Sequence, residues 1–232
     1  MHLFYSNDLF NKDQTLSLDE SKHCLSSLRQ NIGETILITD GKGKIYSTKI
    51  RSIKNKKVVY NDLKLKVSFN KKISIHIAIA PTKNKTRFEW FLEKATEIGV
   101  DTISPIICDN SERKNINQNR CDKILISAMK QSKNCILPTI NPLISFQEFT
   151  KKNLQNTYIA HCHNSEKIDF KNIITKKNIK DITIIIGPEG DFSKKEIELS
   201  DKMNYKPIYL GQNRLRTETA GVFVCSILQL LQ

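Results

Sequence analysis

The sequence predicts an α/β protein in which a small β-rich module precedes a larger domain built on a parallel sheet. Residues 1–70 contain short β-like runs separated by tight turns. From Ile73 onwards, apolar β-like runs alternate with segments of helical periodicity, which is typical of a parallel sheet covered on both faces. The change near Asn70 predicts an N-terminal module of residues 1–70 and a C-terminal domain of residues 73–232.

The N-terminal module is predicted to form a small β-barrel. Two β-like runs, Glu34–Asp40 and Lys44–Ile50, flank a Gly-Lys-Gly turn, a pattern that predicts a hairpin. The runs KKVVY and LKLKV predict two further strands. The one helical candidate lies before the hairpin, where Ser17 and Glu20 have the spacing of a capping box.

The C-terminal domain begins with the strand ISIHIAIA and a helix whose apolar residues share one face. Gly99 follows this face as a natural end of the helix. A second helix is predicted around Cys121, and a third after a capping box formed by Ser193 and Glu196. The remaining strands are VDTISPIIC, TYIAHC, ITIIIG and PIYL. A nearly all-apolar last helix, Val222 to Leu231, is expected to be buried.

Composition narrows the class of function. The net charge of +13 favours a polyanionic partner, although a lysine-rich composition bias would give the same excess. The six cysteines are scattered without a Cys-x-x-Cys pair, and His161 and His163 lack further ligands at metal-site spacing, so no disulfide framework and no metal are predicted. No apolar run could span a bilayer and no signal peptide is recognisable, which predicts a cytoplasmic protein without membrane association.

Two strand–loop–helix corners contain the residues most suited to function. The first is GPEG after the strand ITIIIG, and the second is LGQNRLRTETAG before the last helix. Ligands of α/β sheets bind at the carboxyl ends of strands, although GPEG could also be an ordinary turn. In the second corner Thr217 or Thr219 could simply cap the helix, but Arg214 and Arg216 have no such structural reason. Neither a P-loop nor a dinucleotide-binding glycine pattern occurs.

Together, GPEGDFS and LGQNRLRTETAG resemble the ribosomal RNA small subunit methyltransferase E family of the SPOUT superfamily, which methylates N3 of a uridine in 16S rRNA. The resemblance extends over essentially the whole chain, including EKATEIGVDTISP, the Ser-Glu-Arg at residues 111–113 and AMKQS. It implies a PUA-like N-terminal barrel, a C-terminal domain with a deep trefoil knot, a homodimer, and S-adenosylmethionine bound in the knot.

The resemblance also implies roles for individual residues. Arg216 is expected to stabilise the negative charge that develops on the uridine, and Glu218 or Glu189 to accept the N3 proton. The expected cofactor-binding residues are Gly187, Glu189, Gly190, Leu210, Gly211, Leu215 and Thr217. The expected RNA-binding residues are Arg29, Lys83, Arg87, Arg113 and Arg214.

Three departures accompany the resemblance. Asp191 stands where the family most often has a second glycine, Gln212 and Asn213 replace more usual residues, and Ser27 replaces an aliphatic one. Two other functions stay open at this point. One is a SPOUT enzyme acting on another RNA or base position, and the other is a non-catalytic factor for assembly of the small ribosomal subunit.

Overall fold

A computed structural model describes residues 1–10, 12–174 and 179–230 of the chain. The chain forms two compact units. The first contains Met1–Asn70 together with Ile126–Leu137, and the second contains Lys71–Leu125 and Pro138–Gln232. The segment Ile126–Leu137 is the part of this division that the sequence did not predict.

The first unit is built on a four-stranded sheet in the order β1-β2-β3-β4, in which β1 is parallel to β2 and the other pairs are antiparallel. A short helix, α1, continues into a π-helical turn at His23–Ser27. The bounds are β1 Leu3–Tyr5, α1 Leu18–Lys22, β2 Thr35–Thr39, β3 Lys44–Lys54 and β4 Lys57–Ser68.

The predicted hairpin is confirmed, because β2 and β3 pair antiparallel on either side of Gly41 and Gly43. Both glycines have positive φ values, +75° and +93°, which L side chains rarely adopt. The prediction of two strands after the hairpin was wrong, because KKVVY (from Lys57 onwards) and LKLKV belong to the single strand β4. The polar residues between the two runs remain in β4, where Asp62 has a φ of +53°. The pairing of β4 with β3 shifts in register, which allows the strand to continue through them.

The predicted capping box at α1 is only half formed. The Ser17 hydroxyl accepts a hydrogen bond from the backbone N–H of Glu20, as expected. The Glu20 carboxylate, however, does not return to Ser17, because it accepts from the Tyr5 N–H and pairs with the Lys130 ammonium. A long-range ion pair has therefore replaced the local cap.

The second unit contains an entirely parallel sheet in the order β10-β12-β9-β11-β5-β6-β7, with β8 also paired to β6. This confirms the predicted α/β class. The strands are β5 Ser74–Ile79, β6 Thr102–Ile107, β7 Thr139–Ile140, β8 Ile144–Ser145, β9 Thr157–Ala160, β10 Ile168–Asp169, β11 Asp181–Ile186 and β12 Lys206–Tyr209. The helices are α2 Lys85–Ile98, α3 Gln118–Ser132 (which ends in the first unit), α4 Phe146–Thr150, α5 Phe170–Ile174, α6 Lys194–Lys202 and α7 Thr217–Gln229.

The apolar faces pack largely as the sequence predicts. Phe88, Phe91, Leu92 and Ala95 of α2 are buried, and Gly99 ends the helix in the left-handed region with a φ of +108°. The capping box of Ser193 and Glu196 at α6 is complete. Among the described helices, none is both long enough and apolar enough to cross a membrane.

The last helix differs from its prediction in two ways. It begins at Thr217, five residues earlier than Val222, and the predicted end at Leu231 lies outside the described residues. It is also not buried all round, since Phe223 is 37% exposed and Leu230 is 80% exposed. Its inner face packs on α2, where a Cβ added to Gly221 would lie 2.5 Å from the Phe91 ring. The helix is therefore close-packed on one face and apolar but open on the other.

Candidate active site

A cavity of about 510 Å³ lies where β9, β11 and β12 end. These strands are neighbours in the sheet, and all run in the same direction, so their carboxyl ends meet at one edge. The volume is in the range of about 300–1,000 Å³ that is usual for small-molecule sites. The cavity is lined by Ala160, His161, Cys162 and Lys167, then by Ile186 to Glu189 and Asp191, then by Ile208 to Thr217 and Ala220.

The cavity brings together six of the seven residues expected to bind the cofactor: Gly187, Glu189, Leu210, Gly211, Leu215 and Thr217. Gly190 is not part of the lining; instead, the Asn110 amide donates to its carbonyl oxygen at 3.0 Å. A Cβ on Gly187 would lie 2.8 Å from the Phe192 ring. The structural reason for a glycine at 187 is therefore the packing of Phe192, and not only the approach of a ligand that the sequence suggested.

The two loops predicted to carry function are joined by one side chain. The Thr217 hydroxyl donates to the Gly187 carbonyl oxygen at 2.9 Å and is buried. The alternative in which Thr217 or Thr219 caps α7 is wrong, because the residue before the helix is Arg216, in extended conformation. Its side chain makes no capping hydrogen bond with any described residue. Arg216 is thereby left on the cavity wall at the start of a helix.

The two candidate bases lie in different surroundings. Glu189 lines the cavity, and its Oε1 accepts from the Lys83 backbone N–H at 3.0 Å. Glu218 is only 6% exposed, in the first turn of α7, and is not part of the lining. Its Oε1 lies 3.7 Å from Arg87 Nε, and its Oε2 has no hydrogen-bond partner among the described residues.

The five residues expected to bind RNA do not form one group. Arg214 lines the cavity and donates to the Glu189 carbonyl oxygen at 3.4 Å. Arg113 donates to the carbonyl oxygens of Thr82 and Lys83, at 2.9 Å and 2.6 Å, so its guanidinium holds a loop in place. Lys83 pairs with Glu112 at 2.7 Å, Arg87 is partly exposed beside Glu218, and Arg29 is an exposed residue of the first unit.

Comparison with known proteins defines the family. A family model of an RNA methyltransferase domain matches residues 69–229, and a model of an RNA methyltransferase PUA domain matches residues 17–60. The ribosomal RNA small subunit methyltransferase E of Rickettsia conorii is 31% identical over 219 residues, which cover 93% of this chain and 89% of the relative. This chain belongs to the ribosomal RNA small subunit methyltransferase E family.

Solved structures agree with this membership. A crystal structure of a probable rRNA-methyltransferase from Porphyromonas gingivalis is similar with a TM-score of 0.90 and 36% identity, covering 100% of this chain and 98% of that one. A ribosomal RNA small subunit methyltransferase E from Neisseria gonorrhoeae, solved with bound S-adenosyl methionine, has a TM-score of 0.85 and 26% identity, with the same coverage. The fold is thus an α/β domain of SPOUT type preceded by a PUA domain.

The backbone of Asp191 has a conformation that favours glycine. Its φ of +61° lies in the left-handed region, where asparagine, aspartate and glycine are the residues most easily accommodated. The loop after β11 therefore accommodates the Asp191 side chain in this conformation. That side chain points its carboxylate at the loop after β9, where Oδ2 accepts from the Cys162 N–H at 2.8 Å.

The sequence did not predict that the loop after β9 lines the cavity. His161, Cys162 and Lys167 line the cavity, and burial, with Lys167 nearby, lowers the pKa of His161 to about 4. Within the described residues, no three His, Cys, Asp or Glu side chains are grouped to hold a metal ion. The available signal was that TYIAHC is a strand whose end faces the same sheet edge as GPEG.

Proposed function

We propose that this protein transfers a methyl group from S-adenosylmethionine to N3 of a uridine in the 16S rRNA of the small ribosomal subunit. The observation that carries the proposal is the single cavity shared by the GPEG loop and the LGQNRLRTETAG loop, with Arg214 and Arg216 on its wall. The family membership supports the substrate class, and the net charge of +13 suits a polyanionic partner.

The residues of the cavity fit the cofactor. The cavity combines apolar groups (Ile186, Pro188, Leu210, Leu215) with five charged side chains, Lys167, Glu189, Asp191, Arg214 and Arg216. Apolar surroundings with a small number of placed polar groups are typical of small-molecule sites. The backbone at Gly211 is open to a ligand, because Gly211, with a φ of +139°, has no heavy atom within 4 Å of an added Cβ. When bound, S-adenosylmethionine supplies an electrophilic methyl group on a sulfonium.

Arg216 is proposed to stabilise the anion that forms as N3 of the uridine loses its proton. Uracil N3 is a weak acid, so its deprotonated form needs a fixed positive charge nearby at neutral pH. Within the described part of the chain, Arg216 makes no ion pair and no side-chain hydrogen bond, which leaves its guanidinium for the substrate. Arg214 is fastened to the Glu189 carbonyl oxygen and is proposed to bind the RNA beside it.

The proton acceptor is proposed to be one of the two glutamates. Glu189 lines the cavity and keeps Oε2 for this purpose, since Oε1 accepts from Lys83. Glu218 lies behind the lining beside Arg87, where it supports the start of α7. A Glu189→Gln variant that loses methyl transfer, beside a Glu218→Gln variant that keeps it, would assign the step to Glu189.

The role of Arg216 is testable with the Arg216→Ala variant. Removal of a group that stabilises developing charge typically lowers the rate by about 10²–10³-fold, so methyl transfer to 16S rRNA should fall by that order. The measurement is nucleoside analysis of the rRNA of small subunits after reaction, which identifies the modified base and the ring atom that carries the methyl group. Arg120→Ala is the matched control, since Arg120 is exposed and pairs with Glu89 outside the cavity. Unchanged methylation by a folded Arg216→Ala variant would contradict the proposal.

The homodimer, the trefoil knot, the PUA-like barrel and the cytoplasmic location are proposed with this function. The insertion of β12 between β9 and β10 supports the knot, and a bridge from Thr15 to Val59 of β4 supports closure of the barrel. The open apolar side of α7, with Phe223 at 37% and Leu230 at 80% exposure, supports the dimer.

The Phe223→Asp variant tests the dimer. A charge placed in an apolar contact should convert the dimer into a monomer in sedimentation velocity at micromolar concentration. Phe10→Asp is the control, because Phe10 is 66% exposed but belongs to the first unit. A wild-type protein that sediments as a monomer would refute the proposed dimer and would leave the proposed methyl transfer unaffected.

A further inference from the structure

The loop that follows β9 brings a positive charge to the cavity that the proposed chemistry does not use. Lys167 lines the cavity, and its ammonium donates one hydrogen bond, to the His163 carbonyl oxygen at 2.5 Å. A lysine ammonium carries three protons, so two are left for other acceptors. Arg214 and Arg216, the other lysine or arginine side chains on the wall, are already assigned to RNA and to the uridine.

A negative charge, the Asp191 carboxylate, lies near the ring of the same histidine. Asp191 lines the cavity, and its Oδ2 is 3.9 Å from His163 Nε2. Each of its oxygens accepts one backbone N–H, Oδ2 from Cys162 at 2.8 Å and Oδ1 from Phe192 at 2.9 Å. Each oxygen therefore keeps a free lone pair, while the position of the carboxylate is fixed by two separate loops.

His163 and Asn110 keep the two charges in place. His163 Nε2 is 2.6 Å from the Phe192 carbonyl oxygen, which ties the loop after β9 to the loop after β11. The Asn110 amide donates to the Gly190 and Asp191 carbonyl oxygens at 3.0 and 3.1 Å. Both charges also act on His161, whose pKa is lowered chiefly by burial and then by Lys167, and raised by Asp191. The cavity lining thus includes an ammonium bonded to the His163 carbonyl oxygen and a carboxylate 3.9 Å from the His163 ring nitrogen.

We propose that Lys167 and Asp191 bind the amino-acid end of S-adenosylmethionine, with the ammonium on its α-carboxylate and the carboxylate on its α-ammonium. A fixed pair of opposite charges complements a zwitterion, and each charge-assisted hydrogen bond is stronger than a neutral one. The inference rests on the proposed function, because it assigns one end of the same cofactor. It gives Asp191, which replaces a glycine, a part in binding beyond the loop conformation.

The proposal is tested by comparing two ligands that differ in this end. S-adenosylhomocysteine has the amino-acid end and 5′-methylthioadenosine lacks it, while both have the adenosine and the thioether. Calorimetry with wild type, Lys167→Met and Asp191→Asn should show roughly 10- to 100-fold weaker binding of S-adenosylhomocysteine by each variant. Binding of 5′-methylthioadenosine should stay within about 2-fold of wild type.

Two controls separate a binding role from damage to the fold. Lys171→Met removes an exposed lysine of α5 outside the cavity and should bind both ligands as wild type does. Cys162 is the exposed cysteine among five buried ones and lines the cavity, so its rate of alkylation reports directly on this wall. S-adenosylhomocysteine should slow the alkylation in wild type and in Lys171→Met, and much less in Lys167→Met at the same concentration.

Three results would overturn the inference. Equal losses for both ligands would mean that the substitutions deform the cavity, and unchanged S-adenosylhomocysteine binding would mean that the two charges do not contact it. A wild-type protein that binds 5′-methylthioadenosine and S-adenosylhomocysteine with equal affinity would show that the amino-acid end does not contribute to binding. If wild type binds neither ligand, the proposed function itself fails.

Discussion

His76 shows how a single titratable residue couples the stability of the sheet to pH. It lies on β5, between β6 and β11, with Nε2 at 2.8 Å from the Ser104 hydroxyl and Nδ1 at 3.4 Å from the Thr183 hydroxyl. Its ring lies against Phe149, with the centroids 5.7 Å apart. Burial, and then the charge of Lys152, lower the pKa of His76 to about 4.

The sign of the pH effect follows from this lowered pKa. The unfolded chain takes up a proton near pH 6.5 and the folded chain only near pH 4, so His76 costs nothing above 6.5 and destabilises the fold progressively between 6.5 and 4. The full effect is about 3 kcal/mol. His76→Asn should therefore have a shallower loss of unfolding free energy than wild type over this range, measured by urea denaturation. Parallel pH profiles of the two proteins would contradict the expectation.

Among the elements, α2 and α7 pack so closely at Gly221 that no side chain can be added there without a shift. Gly221 lies where a Cβ would be 2.5 Å from the Phe91 ring and 3.1 Å from the end of Ile79. Phe91 is fully buried, so the ring cannot turn into solvent. Because α7 begins with the residues that line the cavity, its distance from α2 also sets where Thr217 stands.

Gly221→Val should lower the free energy of unfolding by about 1–3 kcal/mol, since overpacking a filled interface costs more than the helix gains from losing a glycine. Urea denaturation measures the change. Lys195→Ala on the exposed side of α6 is the control and should change stability by less than about 0.5 kcal/mol. A Gly221→Val variant as stable as wild type would show that the helices can separate freely.

Local patterns predicted the elements whose causes are local. The apolar face of α2, its end at Gly99 and the capping box at Ser193 all depend on residues within a few positions of one another. The start of α7 could not be predicted in this way, because Thr217 bonds to Gly187, thirty residues earlier. The short strands β7, β8 and β10, two residues each, are formed by pairing with distant neighbours and leave no periodic pattern.

The candidate site was predicted to a similar extent. The two loops were recognisable, because each follows a buried strand and is rich in polar residues. Lys167 was not, since its place on the cavity wall depends on how the loop from 161 to 167 folds back on His163. The different surroundings of Glu189 and Glu218 were not predictable either, because each depends on a contact with a residue distant in sequence. Glu189 accepts from the Lys83 N–H, and Glu218 lies beside Arg87.

At the scale of the whole molecule, the first unit depends on a segment far along the chain. Residues 126–137 contribute the Lys130 partner of Glu20, a backbone bond from Gly43 N–H to the Cys135 carbonyl oxygen at 2.8 Å, and a bond from Leu137 N–H to the Gly41 carbonyl oxygen at 2.9 Å. Leu3 and Ile45 also form a small apolar cluster with Cys135. The N-terminal sheet is therefore completed by residues outside the predicted module of 1–70.

Substitution of two glycines with similar backbone conformations tests how much residues 126–137 contribute to the stability of the first unit. Gly41 and Gly33 have φ values of +75° and +92°, but a Cβ on Gly41 would lie 2.6 Å from Leu137 Cβ, whereas nothing lies within 4 Å of one on Gly33. Gly33→Ala should cost about 1 kcal/mol or more from backbone strain alone. Gly41→Ala should cost about 1–3 kcal/mol beyond that. Equal losses in urea denaturation would mean that the segment yields to the added methyl group.

The division of the chain also has a consequence during protein synthesis. The polypeptide enters the second unit at Lys71, returns to the first at Ile126 and leaves it again at Pro138. A nascent chain that has emerged only as far as Asn70 lacks residues 126–137, which complete the first unit. The first unit therefore reaches its final form only after Leu137 has left the exit tunnel, when more than half of this sequence has been translated.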